Sequence, residues 1–136
     1  MSDRPLPPQF SRTIPPGDTH ERDVCTSCGF VHYVNPKVVT GSIVRHAGGI
    51  LLCRRAIDPR KGFWTLPAGF MEVGETAEDA ARREAREEAN ADIVIDRLLA
   101  VYSIPRLAQV QIMYLAHLAT PHFSAGPESL EVRLAG

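Results

Sequence analysis

The amino-acid sequence predicts a mixed α/β domain with a mainly β framework and one strongly marked helix. Three observations carry this. The chain has 136 residues, 44% of them hydrophobic and 23% charged, enough apolar material for a single packed core. Beyond residue 36, apolar runs of strand length recur between turn residues. One segment, residues 77–89, is bracketed by helix start and stop signals.

The elements follow in order. Residues 1 to about 20, with "RPLPPQF" and "TIPPGD", read as extended segments and turns without a core of their own. "DVCTSCGFVHYVNP" reads as a knuckle-like turn. "KVVTGSIVRH" and "ILLCRR" are β-rich runs, and the "AGG" between them predicts a hairpin, with Gly48 and Gly49 supplying positive φ. "AIDPRKG" is a loop, and "FWTLPAGFMEV" a short strand broken by Pro67 and Gly69. Thr76, three residues before Asp79, makes a capping-box-like start for a helix from about Ala77 to Ala89, and Asn90 is its left-handed stop. "DIVIDRLLAVYSI", "AQVQIMYLAHLA" and "SLEVRL" complete the strands, with Pro105 separating the first two.

The helix carries the first chemical signal. At about 100° per residue, Glu87 and Glu88 fall within roughly 60° of Glu84, as do Ala77, Ala80 and Ala81. The far side holds Glu78, Asp79, Arg82, Arg83 and Arg86. A small, packable face thus turns into an all-glutamate face towards the C-terminus. Like charges at i,i+3 and i,i+4 repel, and acids at a helix C-terminus oppose its dipole, at ~0.3–1 kcal/mol each. Arg83 can relieve Glu87, one turn on, but not three carboxylates. A hard divalent cation with oxygen ligands, Mg²⁺ or Mn²⁺, removes the conflict; an ordinary solvated acidic helix is the alternative.

The wider context is specific. "GFMEVGETAEDAARREAREEANA", residues 69–91, resembles the Nudix box of the Nudix hydrolases, matching at Gly69, Glu75, Arg83, Glu84, Glu87 and Glu88. Asn90 stands where that motif has glycine. The resemblance implies an αβα sandwich with a mixed sheet over residues 36–136. The chain ends at "EVRLAG", where the family continues into a second helix covering one sheet face, so a truncated sandwich or a partner over that face is expected. The resemblance also implies roles. Glu84, Glu87, Glu88 and the Gly69 carbonyl hold the divalent cation; Glu75 and Arg83 fix the loop against the helix; and Glu87 or Glu88 orients or deprotonates water. Some relatives place the base in a later loop, where Glu128 or Glu131 would serve.

"CTSCGFVHYVNPK" resembles half of a zinc ribbon, as carried by a Nudix subgroup that includes pyrophosphatases of NADH, FAD and ADP-ribose. Residues 1–35 are therefore read as a Pro-rich tail and a degenerate half ribbon. The first CxxC pair should lie near residues 3–7, where "DRPLP" has no cysteine. Cys25 and Cys28, joined by His20 and His32, offer a Zn²⁺ site; a decayed site with reduced thiols is the preferred reading. Cys53 is expected in the core.

The implied activity is metal-dependent cleavage of the diphosphate in a nucleoside diphosphate derivative, with ADP-ribose or FAD preferred and AMP released. The NADH-specific array after the box is replaced by "SIPRLAQVQIMYL". Phe63, Trp64 or Tyr102 are candidates to stack on the base, and Arg54, Arg55 or Arg106 to meet phosphates. A non-catalytic nucleotide sensor and a zinc-ribbon binding module are the rivals. The net charge of -1 gives no field for nucleic acid, and no apolar run approaches a membrane span. A soluble, cytoplasmic protein is the remaining expectation, and the resemblance implies that a homodimer is possible.

Overall fold

The computed structural model describes residues 9–136, so the "DRPLP" stretch lies outside the described residues. The chain divides into two compact units, residues 1–35 and 36–136. Among the described residues no helix is long and apolar enough to cross a membrane.

In the first unit, β1 (Phe10–Thr13), β2 (Arg22–Cys25) and β3 (Val31–His32) form a small antiparallel sheet. The segment expected to be merely extended is thus paired, Phe10 opposite Cys25 and Thr13 opposite Arg22. The β2–β3 connection is a tight knuckle, closed by Cys25 N–H to the Phe30 carbonyl (2.7 Å) and Gly29 N–H to the Cys25 carbonyl (2.9 Å).

The second unit is built on one mixed sheet. Its path runs β10 (Ser129–Ala135), β5 (Gly49–Arg55), β4 (Lys37–His46), β9 (Gln109–Leu118), β8 (Ile93–Ile104). Short β6 (Trp64–Thr65) pairs with β5, and short β7 (Ala68–Phe70) with β4. β4 and β9 are parallel; the other pairs are antiparallel. The β4–β5 hairpin closes through Ala47 (φ 49°) and Gly48 (φ 81°). Gly49 instead lies in β5 opposite His46, which corrects the expectation that Gly48 and Gly49 make the turn. A two-residue loop of type I′ has positive φ at both central positions, here Ala47 and Gly48.

The helix α1 spans Ala77–Ala89. The Thr76 side chain accepts the Asp79 N–H at 3.1 Å. Asn90 ends the helix in the left-handed conformation (φ 46°), its N–H returning to the Arg86 carbonyl and that of Ala91 to Ala85. Ala80, Ala81, Ala85 and Ala89 are fully buried, as are Thr40, Ser42 and Val44 on β4. Small side chains on both elements let the helix lie close on the sheet. The core continues through Leu51, Cys53, Ala91, Ile93, Ala116 and Leu118, with Phe123, Val132 and Leu134 packed against it. Burying Cys53 pushes its thiol pKa up to about 12, so it is an inert core residue.

Candidate functional site

The C-terminal half of α1 meets the loop that carries β7. β7 pairs with β4, Gly69 opposite Thr40, which lays its backbone beside the helix. Glu84 and Glu88 are buried, 7% and 8% exposed, and face this strand. The Ala68 N–H donates to Glu88 Oε2 at 3.1 Å. Gly69 lies against Glu84 so closely that a β-carbon there would overlap the Glu84 carboxylate. Only glycine leaves room for that carboxylate. Glu87 is one turn along, with its side chain 55% exposed.

Arg83 gathers the acidic groups. Its Nε and Nη2 donate to the two oxygens of Glu75, at 3.0 and 2.8 Å. Nη1 donates to Glu84 Oε1 (2.9 Å) and Glu87 Oε2 (3.2 Å), and Nη2 also reaches the Phe70 carbonyl (3.0 Å). The helical angle groups Arg83 with Arg82 and Arg86, but Arg83 meets Glu87 as its i,i+4 spacing implies and reaches Glu84 and Glu75 besides. An angle locates the Cα, whereas three methylenes and a planar fork let the guanidinium swing round to the carboxylates. Glu75 also accepts the Glu72 N–H at 2.7 Å. Arg83, and secondarily that N–H, hold the Glu75 pKa down to about 2. Lysine cannot reproduce the forked contact to Glu75. Arg83→Lys should lower thermal stability modestly, because the pair is partly exposed, and a downward shift in Tm checks it.

The electrostatics of the buried pair are opposite. Burial raises the Glu84 pKa against the pull of Arg83. Burial, opposed by the Ala68 N–H and reinforced by Glu84 and Glu128, pushes Glu88 up to about 8. Two carboxylates are thus held out of water with too little positive charge. No three acidic, histidine or cysteine side chains among the described residues already converge as a metal cage. Arg83 instead provides the counter-charge to Glu84 and Glu87. The donor set is nonetheless all carboxylate oxygen, with Gly69 backbone packed on Glu84, and it fits a hard divalent cation.

Two cavities flank this cluster. One, of about 380 Å³, opens beside Gly69 and is lined by Arg55, Arg60, Phe63, Trp64, Phe70 and Gln109 among others. A smaller one is lined by Cys53, Arg55, Thr65, Glu88, Glu128 and Ser129. Arg55 borders both, its Nε donating to the Pro59 carbonyl at 2.7 Å. Of the residues put forward for substrate, Arg55, Phe63 and Trp64 line the larger cavity; Arg54, Tyr102 and Arg106 do not. Arg54 alternates to the other face of β5, where its Nε donates to the Gly62 carbonyl at 2.9 Å. Arg133 stacks over the Trp64 ring at 4.4 Å. Glu128 joins the cluster, but Glu131 sits on β10 opposite Arg54. Arg60, Phe70 and Gln109 escape a sequence reading because loops and strands distant in sequence bring them together.

In the first unit, the N–H groups of Cys28 and Ser27 point at the Cys25 sulfur and lower its pKa. His20 bonds instead to Thr19 (2.9 Å), and no third ligand-type side chain among the described residues joins the two cysteines.

Comparison with known proteins places this geometry. The NUDIX domain model matches residues 35–129, and a second, Nudix N-terminal model of zinc-ribbon type matches residues 8–34. A Nudix hydrolase structure from Nitrosomonas europaea is 49% identical with TM-score 0.89, covering 96% of this chain and 74% of that one. An ADP-ribose pyrophosphatase of Methanocaldococcus jannaschii is 35% identical over 103 residues, 73% of this chain; the chain spans 61% of that relative's length. A bifunctional NMN adenylyltransferase/ADP-ribose pyrophosphatase from Francisella tularensis, solved with AMP and a manganese ion, has TM-score 0.67 at 25% identity, covering 75% of this chain and 34% of that one. With the domain model spanning most of the chain and the box residues gathered around one buried carboxylate pair, the chain belongs to the Nudix family.

Proposed function

We propose that the protein is a metal-dependent pyrophosphohydrolase that cleaves the diphosphate of an ADP-linked compound, ADP-ribose foremost and FAD second. The observation that carries this reading is the pair Glu84 and Glu88, buried beside Gly69 and adjoining a cavity lined with aromatic and arginine side chains. Relatives named ADP-ribose pyrophosphatase, one solved with AMP and manganese, support the choice of substrate.

Glu84, Glu87, Glu88 and the Gly69 backbone would hold Mg²⁺ or Mn²⁺. When bound, the cation offsets the negative charge of the diphosphate and acidifies a water. The chain's own groups do the rest. Arg83, locked to Glu75 and to the Phe70 carbonyl, fixes the β7 segment against α1. Arg55, in the wall of the larger cavity, offers charge to a diphosphate lying in it. Phe63, Phe70 and Trp64 offer ring surface for a base, and the Gln109 amide a hydrogen-bonding edge. Glu128, which lines the small cavity with Glu88, would accept the proton lost by water as one P–O bond forms and the bridging P–O bond breaks. The products are AMP and a second phosphate ester, ribose 5-phosphate in the case of ADP-ribose.

Incubation with ADP-ribose, FAD or NADH, with and without Mg²⁺ or Mn²⁺, tests this directly. AMP should appear only with metal and fall sharply in Glu87→Gln. Tight nucleotide binding without AMP from any substrate would overturn hydrolysis in favour of a sensor.

A further inference from the structure

Asn90 stands where the Nudix motif has glycine, and its backbone does what glycine would do. Its side chain does something glycine cannot. Nδ2 reaches Ser124 Oγ at 3.0 Å, the Ala125 carbonyl at 3.3 Å and the Ser124 carbonyl at 3.4 Å. The same segment caps the helix. The Ser124 N–H donates to the Ala89 carbonyl (2.8 Å) and the Gly126 N–H to the Glu88 carbonyl (3.0 Å). Gly126 is packed so tightly that a β-carbon there would overlap the Glu87 carbonyl oxygen. Two residues beyond Gly126 comes Glu128. Its carbonyl accepts the Ala56 N–H at 2.9 Å, and it lines the small cavity with Glu88, near enough for the two carboxylates to repel.

We propose that Asn90 is a positioning residue: it clamps the Ser124–Gly126 segment to the end of α1 and thereby holds Glu128 at the carboxylate cluster. The proposal rests on the hydrolase reading above. One side chain thus serves two ends. It terminates the helix in the left-handed region, which asparagine tolerates, and it fastens a loop from the far side of the sequence to the helix that carries Glu84, Glu87 and Glu88. The Ala56 bond holds Glu128 downstream, and the Asn90 contacts hold it upstream, so the limb is fixed from both sides.

The full chain with Asn90→Gly provides the test, because glycine keeps the left-handed stop and removes only the side-chain contacts. With ADP-ribose and Mg²⁺, kcat should fall roughly tenfold with KM within about twofold. Glu128→Gln should lower kcat further, and the double variant should be no slower than Glu128→Gln alone. Amide exchange at Ser124 and Gly126 should quicken while the rest of α1 stays protected. A kcat for Asn90→Gly equal to wild type, or losses that multiply in the double variant, would overturn the proposal. If the wild-type chain releases no AMP, the hydrolase reading fails by itself, and exchange decides the clamp: unchanged protection at Ser124 and Gly126 sinks it.

Discussion

Glu88→Gln is expected to do two opposite things: abolish most metal-dependent turnover and stabilise the metal-free protein. The first follows from losing a buried anionic oxygen beside Glu84, and a drop of about 10²–10⁴-fold in AMP release is the scale for such a group. The second follows from burial. Glu88 is 8% exposed and its pKa is pushed from 4.5 to about 8. A carboxyl whose folded pKa lies above its unfolded value favours the fold fully below pH 4.5. That contribution is lost as the pH rises through about 8. At pH 8.5 the metal-free wild type therefore carries a penalty of order a few kcal/mol that glutamine lacks. Glutamine keeps the amide oxygen that accepts the Ala68 N–H. In EDTA, the Tm of the variant should exceed that of wild type at pH 8.5, and the two should converge near pH 4. Adding Mg²⁺ or Mn²⁺ should raise the wild-type Tm and leave the variant nearly unmoved, because a ligand stabilises only the state it binds. An equal metal-induced rise in both proteins would remove Glu88 from the set of ligands.

The parts of this molecule legible in the sequence are those governed by local rules. The helix runs from Ala77 to Ala89 with Thr76 and Asn90 as its ends because capping chemistry and backbone tolerance are set by adjacent residues. The strands beyond residue 36 follow their apolar runs for the same reason. Glu84 and Glu88 are buried as their angle on the helix implies, but Glu87, at the edge of that face, is exposed. Arg83 shows the limit most clearly. Its spacing from Glu87, one turn on, foretells one contact, but its guanidinium also reaches Glu84 and, outside the helix, Glu75. The long side chain goes where charge is, and periodicity records the Glu87 contact but not those to Glu75 and Glu84. The choice between Glu128 and Glu131 is likewise tertiary. They lie three residues apart, and only the strand register, with Glu131 opposite Arg54, separates the one at the cluster from the one on the opposite face. Gly126 and Ser124 have no local signature at all, because their partners are helix carbonyls more than thirty residues earlier in the chain.

Gly69→Ala separates geometry from stability and should cost activity far more than fold. Gly69 sits in a short strand with an ordinary backbone conformation, outside the positive-φ residues, so alanine meets no backbone strain. What the new methyl group meets is the Glu84 carboxylate. That carboxylate is the end of a flexible side chain and can move, whereas Gly69 is held by its pairing with Thr40 and cannot. The methyl group must therefore turn Glu84 away from the strand. Arg83 Nη1 bonds to that carboxylate at 2.9 Å and either follows it, loosening the Glu75 contact, or gives it up. Thermal stability should change by about 1–2 kcal/mol, the ordinary scale of a small overpacking. Metal-dependent AMP release should fall about 10²-fold, because a displaced carboxylate no longer shares a cation with Glu88 and a 1 Å error in a reacting site carries that cost. Titration with Mn²⁺ followed by thermal shift reads the same displacement without turnover, as a metal affinity weakened in Gly69→Ala. Wild-type metal affinity together with wild-type kcat would show that the space beside Gly69 does not set the position of Glu84. A variant that fails to fold would show instead that Glu84 is pinned by its burial more firmly than its side-chain rotamers allow.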